Sequence, residues 1–318
     1  MNPHPRIVFF GTPEIAVVSL KRLIEAQYLV AAAVTAPDRP SGRGLKLKVS
    51  PVKEYALSLH LPVLQPVNMK DPGFVEQLAS LCPDLQIVIA FRMMPRVVWN
   101  LPKLGTFNLH ASLLPQYRGA APINWTVING ETETGVTTFF LNEHIDTGKI
   151  IYQEKVGIGA EETAGELHDR LAQVGSGLVL KTVDGICHGT IAEIPQDSLT
   201  DTRVPLKTAP KIFKEDCRIR WDRDLFAVHN HIRGLSPHPG AFTIVRMPDG
   251  TTQILKIYRT TPEPATSGTP PGQFLSDGKT FLKVAVKNGF IHLQELQLAG
   301  RKTMNTADFL RGFGWMFA

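Results

Sequence analysis

The sequence predicts an α/β protein, a Rossmann-like, mostly parallel sheet domain followed by a small β-barrel domain of OB-like type. Three observations carry that expectation. The chain opens on an apolar run, a one-sided helical stripe and a second apolar run, the β-α-β spacing that makes neighbouring strands parallel. A stretch rich in Asp, Ser, Thr and Pro, Ile194 to Pro210, interrupts the chain past its middle. Beyond it, short β-type runs are separated by Asp249-Gly250, Asp277-Gly278 and Asn288-Gly289, dipeptides suited to tight hairpins. Residues 1–193 are therefore expected to form the first domain, 194–210 a linker and 211–318 the second domain.

Arg6 to Phe10 reads as the first strand, and Gly11-Thr12 as the turn into a helix from Pro13. In that helix Ala16, Leu20, Leu23 and Ile24 recur at i, i+4, i+7 and i+8, a stripe facing one way. Leu29 to Val34 is the second strand. A nicotinamide site is the natural rival for such an opening, but a single Gly followed by Thr-Pro replaces the Gly-x-Gly-x-x-Gly that would cradle a pyrophosphate. Ala36 to Lys53 is too long and polar for an ordinary connection. It sets Arg39, Arg43, Lys46, Lys48 and Lys53 against Asp38, with Gly42 and Gly44 flanking Arg43. Such a stretch fits either a phosphate-contacting loop that orders on binding or a solvated, mobile one.

Pro62 to Leu64 reads as a short strand, Pro72 to Leu81 as a helix and Leu85 to Phe91 as a strand buried on both faces. Lys149 to Val156 is a further strand. Thr163-Ala164-Gly165-Glu166 is a capping box opening a long helix toward Gly185, with Leu167, Leu171, Val174 and Leu178 on its apolar face. The second domain has one helix, about Asp222 to Ile232, and strands around Phe242, Ile254, Phe281 and Ile291. His229, His231 and Arg233 invite a metal reading. Two residues apart on a helix point to different sides, which favours capping or RNA contact over a ligand set.

The chemistry is expected between Thr106 and Gly148. Thr106 to His110 is a strand whose period of two puts Asn108 and His110 on one face. Ser112-Leu113-Leu114-Pro115 and Tyr117-Arg118-Gly119 form a turn, Pro122 opens a short helix over Ile123 to Ile128 closed by Asn129-Gly130, and Val136 to Leu141 is another strand. A polar loop with His144 and Asp146 follows, ended by Gly148. A His beside an Asn amide can aim two donors at an oxyanion, and an Asp nearby can orient the His or take a proton from an attacking amine. Ser112 lies in Ala-Ser-Leu-Leu and not in a nucleophile elbow, so direct attack of one substrate on another fits better than an acyl-enzyme. Taken singly, these residues have a plainer reading as a turn-capping Asn108 and a satisfied core His110.

At 318 residues, 43% hydrophobic and 20% charged, the chain has the make-up of a soluble globular protein. Three scattered cysteines, Cys82, Cys187 and Cys217, argue against a disulfide framework or zinc site and for a reducing cytosol. No signal peptide or membrane-length apolar run is visible, so a cytoplasmic location without membrane contact is expected. Net charge is +5, unevenly placed: from Lys211 onward there are 15 Lys/Arg against 9 Asp/Glu, before it 19 against 20. A basic second domain suits a polyanionic partner, or is simply a solvated basic surface.

The run Asn108-x-His110-x-Ser112-Leu113-Leu114-Pro115-x-Tyr117-Arg118-Gly119, with Asp146-Thr147-Gly148, resembles the formyltransferase family that uses 10-formyltetrahydrofolate. The likeness extends over Phe10-Gly11-Thr12-Pro13, Pro37 to Gly44, Gly119-Ala120-Ala121-Pro122, Arg218-Ile219-x-Trp221 and Ala299-Gly300-Arg301-Lys302, nearly the whole chain. It is strongest with the members that formylate the α-amino group of initiator methionyl-tRNA for translation initiation. The resemblance implies Asn108, His110 and Asp146 as the catalytic trio and no metal. It implies a folate pocket framed by Phe91, Arg92 and Met93 and by Ser112, Leu113, Leu114 and Pro115. The tRNA contacts it implies are Arg39, Arg43, Lys46 and Lys48 in the insertion, with Lys211, Arg301 and Lys302, in an enzyme expected to be monomeric. Relatives commonly carry Tyr-Gly where this chain has Phe91-Arg92, which removes easy access to positive φ and adds a cation that could meet the folate tail or point to solvent. An amino-sugar nucleotide acceptor, or a non-catalytic RNA-binding relative, is the alternative. The basic insertion and basic second domain argue against the first, the intact trio against the second.

Overall fold

The computed structural model describes residues 5–41, 46–200, 203–247, 249–266 and 268–317, with the side chains of residues 40, 41, 46 and 47 outside that description. The chain divides into two compact units that interleave in sequence. Met1–Gly119, Thr134–Val156 and His168–Thr208 make the first; Ala120–Glu133, Gly157–Leu167 and Ala209–Ala318 make the second.

The first unit is built on a seven-stranded sheet in the order Ile150–Gly157, Glu133–Phe140, Thr106–His110, Leu85–Ile89, Ile7–Gly11, Val30–Val34, Val63–Leu64. The five strands from Thr106–His110 to Val63–Leu64 pair in parallel, and Glu133–Phe140 returns antiparallel against Thr106–His110. Ile7–Gly11, Val30–Val34 and Leu85–Ile89 are buried at every residue, as continuous apolar runs in a two-faced sheet require. The expected helices form close to their signals. Glu14–Glu25 begins one residue after Pro13, and Pro72–Ser80 is capped by Asp71, whose side chain accepts from the Phe74 amide at 3.0 Å. The capping box holds in both directions: Thr163 N–H donates to Glu166 Oε2 at 2.8 Å and Glu166 N–H to Thr163 Oγ1 at 3.2 Å, opening the helix Ala164–His188.

The basic insertion is shorter as a loop than its composition suggested. Arg39–Ser41 pairs antiparallel with Lys46–Lys48, and a helix has already begun at Pro51. Lys53 belongs to that helix and is no surface phosphate ligand: its ammonium is paired with Asp38 and donates to Gln65 Oε1 at 2.7 Å, with 18% of its side chain exposed. Arg43 lies outside the described residues.

The second unit carries a curled antiparallel sheet in the order Ala241–Arg246, Thr252–Pro264, Gly289–Leu298, Leu282–Val286, Phe274–Ser276, with Met304–Asn305 added against Gly289–Leu298. Gly250 and Gly278 take positive φ in the expected turns. Phe281 falls in the turn after Phe274–Ser276, because Asp277 gathers the amides of Lys279, Thr280 and Phe281. The expected helix is Leu225–Gly234, capped by Asp224, and the domain adds a second that was not expected, Thr306–Phe313, capped by Asn305. Leu225, Val228 and Ile232 of the first join Leu255, Leu282, Ile291 and Phe309 in one core.

His229 and Arg233 of the Leu225–Gly234 helix are buried and His231 partly so, which corrects the expected capping or RNA contact. His229 is 3% exposed, its Nδ1 bonded to Thr260 Oγ1 at 3.0 Å. Arg233 is 6% exposed and donates to the carbonyls of Glu162 at 2.8 Å and Gly159 at 3.2 Å. With Asn124 Nδ2 on the Gly234 carbonyl at 2.8 Å, these bonds explain why 120–133 and 157–167 group with the C-terminal residues.

Candidate active site

The parallel strands end together, and His110 is the last residue of its strand. Asn108 lies opposite Val88 and Phe139, and His110 opposite Thr137. The carboxyl ends of parallel strands are where open α/β sheets bind ligands, because the chain must leave the sheet there in loops. Period-two alternation brings Asn108 and His110 to the same face, as the sequence implied.

His110 is 7% exposed. Its Nε2 donates to the Tyr117 carbonyl at 2.9 Å, so that ring nitrogen carries the proton. Its Nδ1 lies 3.8 Å from Asp146 Oδ2, too far for a hydrogen bond and close enough for one substrate atom to interact with both. Orientation of His110 thus comes from Tyr117, a role expected of Asp146. Asp146 Oδ2 is held by the Gly119 amide at 3.0 Å. The Asn108 amide, partly buried, has no side-chain hydrogen bond among the described residues and is left available.

Two loops hold these groups. From Ser112 to Tyr117 the chain turns through a cis Leu114-Pro115 bond, and Tyr117 sits at φ 60°. Ser112 Oγ donates to the Gln116 carbonyl at 2.7 Å. Buried Thr137 is the hub of the turn: its Oγ1 donates to the Ser112 carbonyl at 2.6 Å and accepts from Leu114 N–H at 3.2 Å and Gln153 Nε2 at 2.9 Å. The Asp146 loop is fixed as firmly. Asp146 takes φ 54°, and Thr147 Oγ1 donates to Asn142 Oδ1 at 3.0 Å. A Cβ on Gly148 would come within 1.6 Å of the Phe140 carbonyl, so no other residue fits. Gln196, 3% exposed, donates through Nε2 to the carbonyls of Asp146 at 2.9 Å and Gly148 at 2.8 Å. Its Oε1 accepts from Arg118 Nε at 3.0 Å and Nη2 at 2.6 Å.

Of the residues expected to line the folate pocket, Ser112, Leu114 and Pro115 are buried and shape the turn from within, while Leu113 is partly buried. Phe91 packs edge-on against Phe10, ring centroids 5.6 Å apart. Met93 is 72% exposed. Arg92 does not point freely into solvent: its guanidinium donates to the carbonyls of Pro66 and Val67, the latter at 2.9 Å, and lies 5.6 Å from the Phe91 ring. Partial burial, with Arg39 nearby, lowers its pKa from the usual value. Arg39, Lys48, Lys211, Arg301 and Lys302 are exposed. Lys211 lies over Phe213 at 5.5 Å and Arg301 over Phe313 at 5.9 Å. Thr137, Gln153 and Gln196 were missed from the sequence, where nothing marks an isolated Thr or Gln as the partner of a distant loop.

The family described as formyl transferase matches residues 5–183, and the formyl transferase C-terminal domain matches 211–314. The chain belongs to the formyl transferase family. It is 56% identical to the methionyl-tRNA formyltransferase of Phocaeicola vulgatus over 309 residues, 97% of this chain and 95% of that one. With the methionyl-tRNA formyltransferase of Bacteroides fragilis it shares 51% over 308 residues, again 97% and 95% of the two chains. Among solved structures, HypX from Aquifex aeolicus in complex with tetrahydrofolic acid superposes at a TM-score of 0.64 with 19% identity, over 96% of this chain and 47% of that one. WlaRD, a sugar 3N-formyl transferase, gives 0.64 and 19% over 94% and 99%. These likenesses share the formyl transferase fold. Among the described residues no cluster of His, Cys, Asp and Glu is arranged to hold a metal, and no helix is long and apolar enough to cross a membrane.

Proposed function

We propose that this formyl transferase moves the formyl group of 10-formyltetrahydrofolate to the α-amino group of initiator methionyl-tRNA, in the cytoplasm and as a monomer. The observation that carries the reading is the 56% identity to a methionyl-tRNA formyltransferase over 97% of the chain. It is supported by the site, where Asn108, His110 and Asp146 converge at one sheet end.

In this reading the neutral amine attacks the formyl carbon directly. The Asn108 amide donates to the developing oxyanion. His110, with Nε2 committed to Tyr117, meets the reacting atoms through Nδ1. Asp146, held by the Gly119 amide, takes the proton that the amine loses as the new C–N bond forms. The intermediate collapses by breaking the bond from carbon to N10 of the folate, and N10 takes the proton that Asp146 received and leaves as the neutral secondary amine of tetrahydrofolate. The folate lies against Phe91, Met93 and Leu113. Arg39, Arg43, Lys46 and Lys48, with Lys211, Arg301 and Lys302 of the 211–318 domain, meet the tRNA phosphates.

The test is formyl transfer from 10-formyltetrahydrofolate to charged initiator methionyl-tRNA, with elongator methionyl-tRNA and an amino-sugar nucleotide as rivals. Selective formylation of the initiator is expected. Transfer to the sugar alone would overturn the acceptor, and tRNA binding without transfer to any acceptor would make the chain a non-catalytic relative.

A further inference from the structure

We propose that Gln196, acting with Arg118, is a positioning residue for formyl transfer: it sets the backbone that presents the Asp146 carboxylate to the reacting amine. The inference rests on the role given to Asp146 above.

A primary amide has two N–H donors and two acceptor sites on its oxygen. At Gln196 all four are used, two on the Asp146 loop and two on Arg118. Both N–H groups go to the Asp146 loop, at the carbonyls of Asp146 and Gly148. Both acceptor sites go to Arg118. Arg118 stands between Tyr117, whose carbonyl orients His110, and Gly119, whose amide holds the Asp146 carboxylate. One buried side chain therefore joins the loop that carries Asp146 to the turn that holds both His110 and Asp146. The 3.8 Å separation of Nδ1 and Oδ2 depends on the relative placement of those two segments.

Gln196 is itself braced from outside the site. Ile194 and Ile150 exchange two backbone bonds, Ile150 N–H to Ile194 O at 2.8 Å and Ile194 N–H to Ile150 O at 2.9 Å, which anchors the segment to the sheet edge. The brace matters because Asp146 takes φ 54°, a conformation that few non-glycine residues adopt without support. The residue type is specific. Glutamate would keep Arg118 but turn two donors on the carbonyls into acceptors, and asparagine would be one methylene too short to serve both sides.

A purely structural tie would lower stability and affect binding and turnover alike. A positioning role acts on the chemical step. The experiment compares the whole protein with Gln196→Glu, Gln196→Leu and Arg118→Lys in single-turnover formyl transfer at roughly pH 6 to 9. It also follows amide hydrogen exchange over residues 144–148 and thermal unfolding. The expected result for Gln196→Glu is a rate constant lower by about 10 to 100-fold, as misplacing a reacting group by a fraction of an ångström produces. The KM values for folate donor and tRNA stay within about twofold, the midpoint of the pH–rate profile moves, and exchange in the Asp146 loop accelerates. Arg118→Lys, which keeps the charge but loses the two-pronged contact, gives the same pattern more weakly. A rate within about twofold of the parent, or an unmoved pH midpoint with a loss matched by KM, would overturn the proposal. If Gln196→Leu does not fold, the isosteric Gln196→Glu and Arg118→Lys at its partly buried partner still decide it. Full activity in Asp146→Asn would instead sink the role of Asp146, while loop exchange would still report whether Gln196 holds the loop.

Discussion

The Gly119 amide donates to Asp146 Oδ2 at 3.0 Å, and that same oxygen is the one 3.8 Å from His110 Nδ1. Gly119 therefore fixes the carboxylate without neutralising it, and leaves the His110 side open for a substrate atom. Asparagine at 146 can keep the Gly119 bond while losing the base. Asp146→Asn is expected to fold normally and to lose on the order of 100-fold or more in the transfer rate, the size of a general-base contribution. Single-turnover kinetics beside a thermal melt checks both halves.

Asn108→Ala removes the donor to the oxyanion, and His110→Ala removes the Nδ1 that faces the reacting atoms. Each change is expected to cost about 100 to 1000-fold in turnover. Binding of uncharged tRNA should be unaffected, since neither residue belongs to the basic surface. The comparison is turnover against tRNA affinity measured by filter binding at fixed salt.

Thr137 Oγ1 makes three hydrogen bonds and is fully buried. Thr137→Val keeps the volume and leaves the Ser112 carbonyl and Leu114 amide without their partner. A loss of about 1 to 3 kcal/mol in unfolding free energy is expected. KM for the folate donor should rise as the turn loosens. Denaturant melts and a folate titration measure the two effects.

Arg92 is tied to the carbonyls of Pro66 and Val67, so its charge is not free for a folate carboxylate. Arg92→Ala is expected to cost about 1 kcal/mol of stability and to change the folate KM by less than about threefold. Comparing mono- and polyglutamylated donors tests the point directly. A large, selective loss for the polyglutamylated donor would return Arg92 to the tail-binding role.

His231 is held neutral in the fold. Burial, reinforced by Arg223 and opposed by Asp216, pushes its pKa down to about 4 from an ordinary 6.5, and its Nε2 has no hydrogen-bond partner among the described residues. The unfolded chain then binds the proton more readily than the folded one. Stability is fully present above pH 6.5 and falls as pH drops through 6.5 toward 4. A His231→Asn variant should show a shallower fall in melting temperature across that window, read by calorimetry at several pH values.

Much was legible in the residues themselves. Alternation from Thr106 to His110 placed Asn108 and His110 together, since period two is a property of any extended chain. The capping box at Thr163 and Glu166, the Asp-Gly turns and the continuous apolar strands are local signals, and each forms where it was read. Side-chain partnership across long separations was not legible. Arg92 turns to carbonyls 25 and 26 residues away, and Gln196 to a loop about 50 residues away. His229, His231 and Arg233 were read as capping or RNA-contacting residues, yet His229 and Arg233 prove to be buried and His231 partly so. The sequence by itself determined the opening β-α-β order, the elements that strong local signals mark and the family, and it nominated the residues of the candidate site, but not the Arg39–Ser41 and Lys46–Lys48 pair or the helices Pro51–Ser58 and Thr306–Phe313. Only tertiary structure decided which nitrogen of His110 carries its proton, how far Asp146 stands from it, and which buried amide holds that distance. Local patterns depend on neighbours along the chain, whereas a buried polar group takes whichever partner the packed fold brings within about 3 Å.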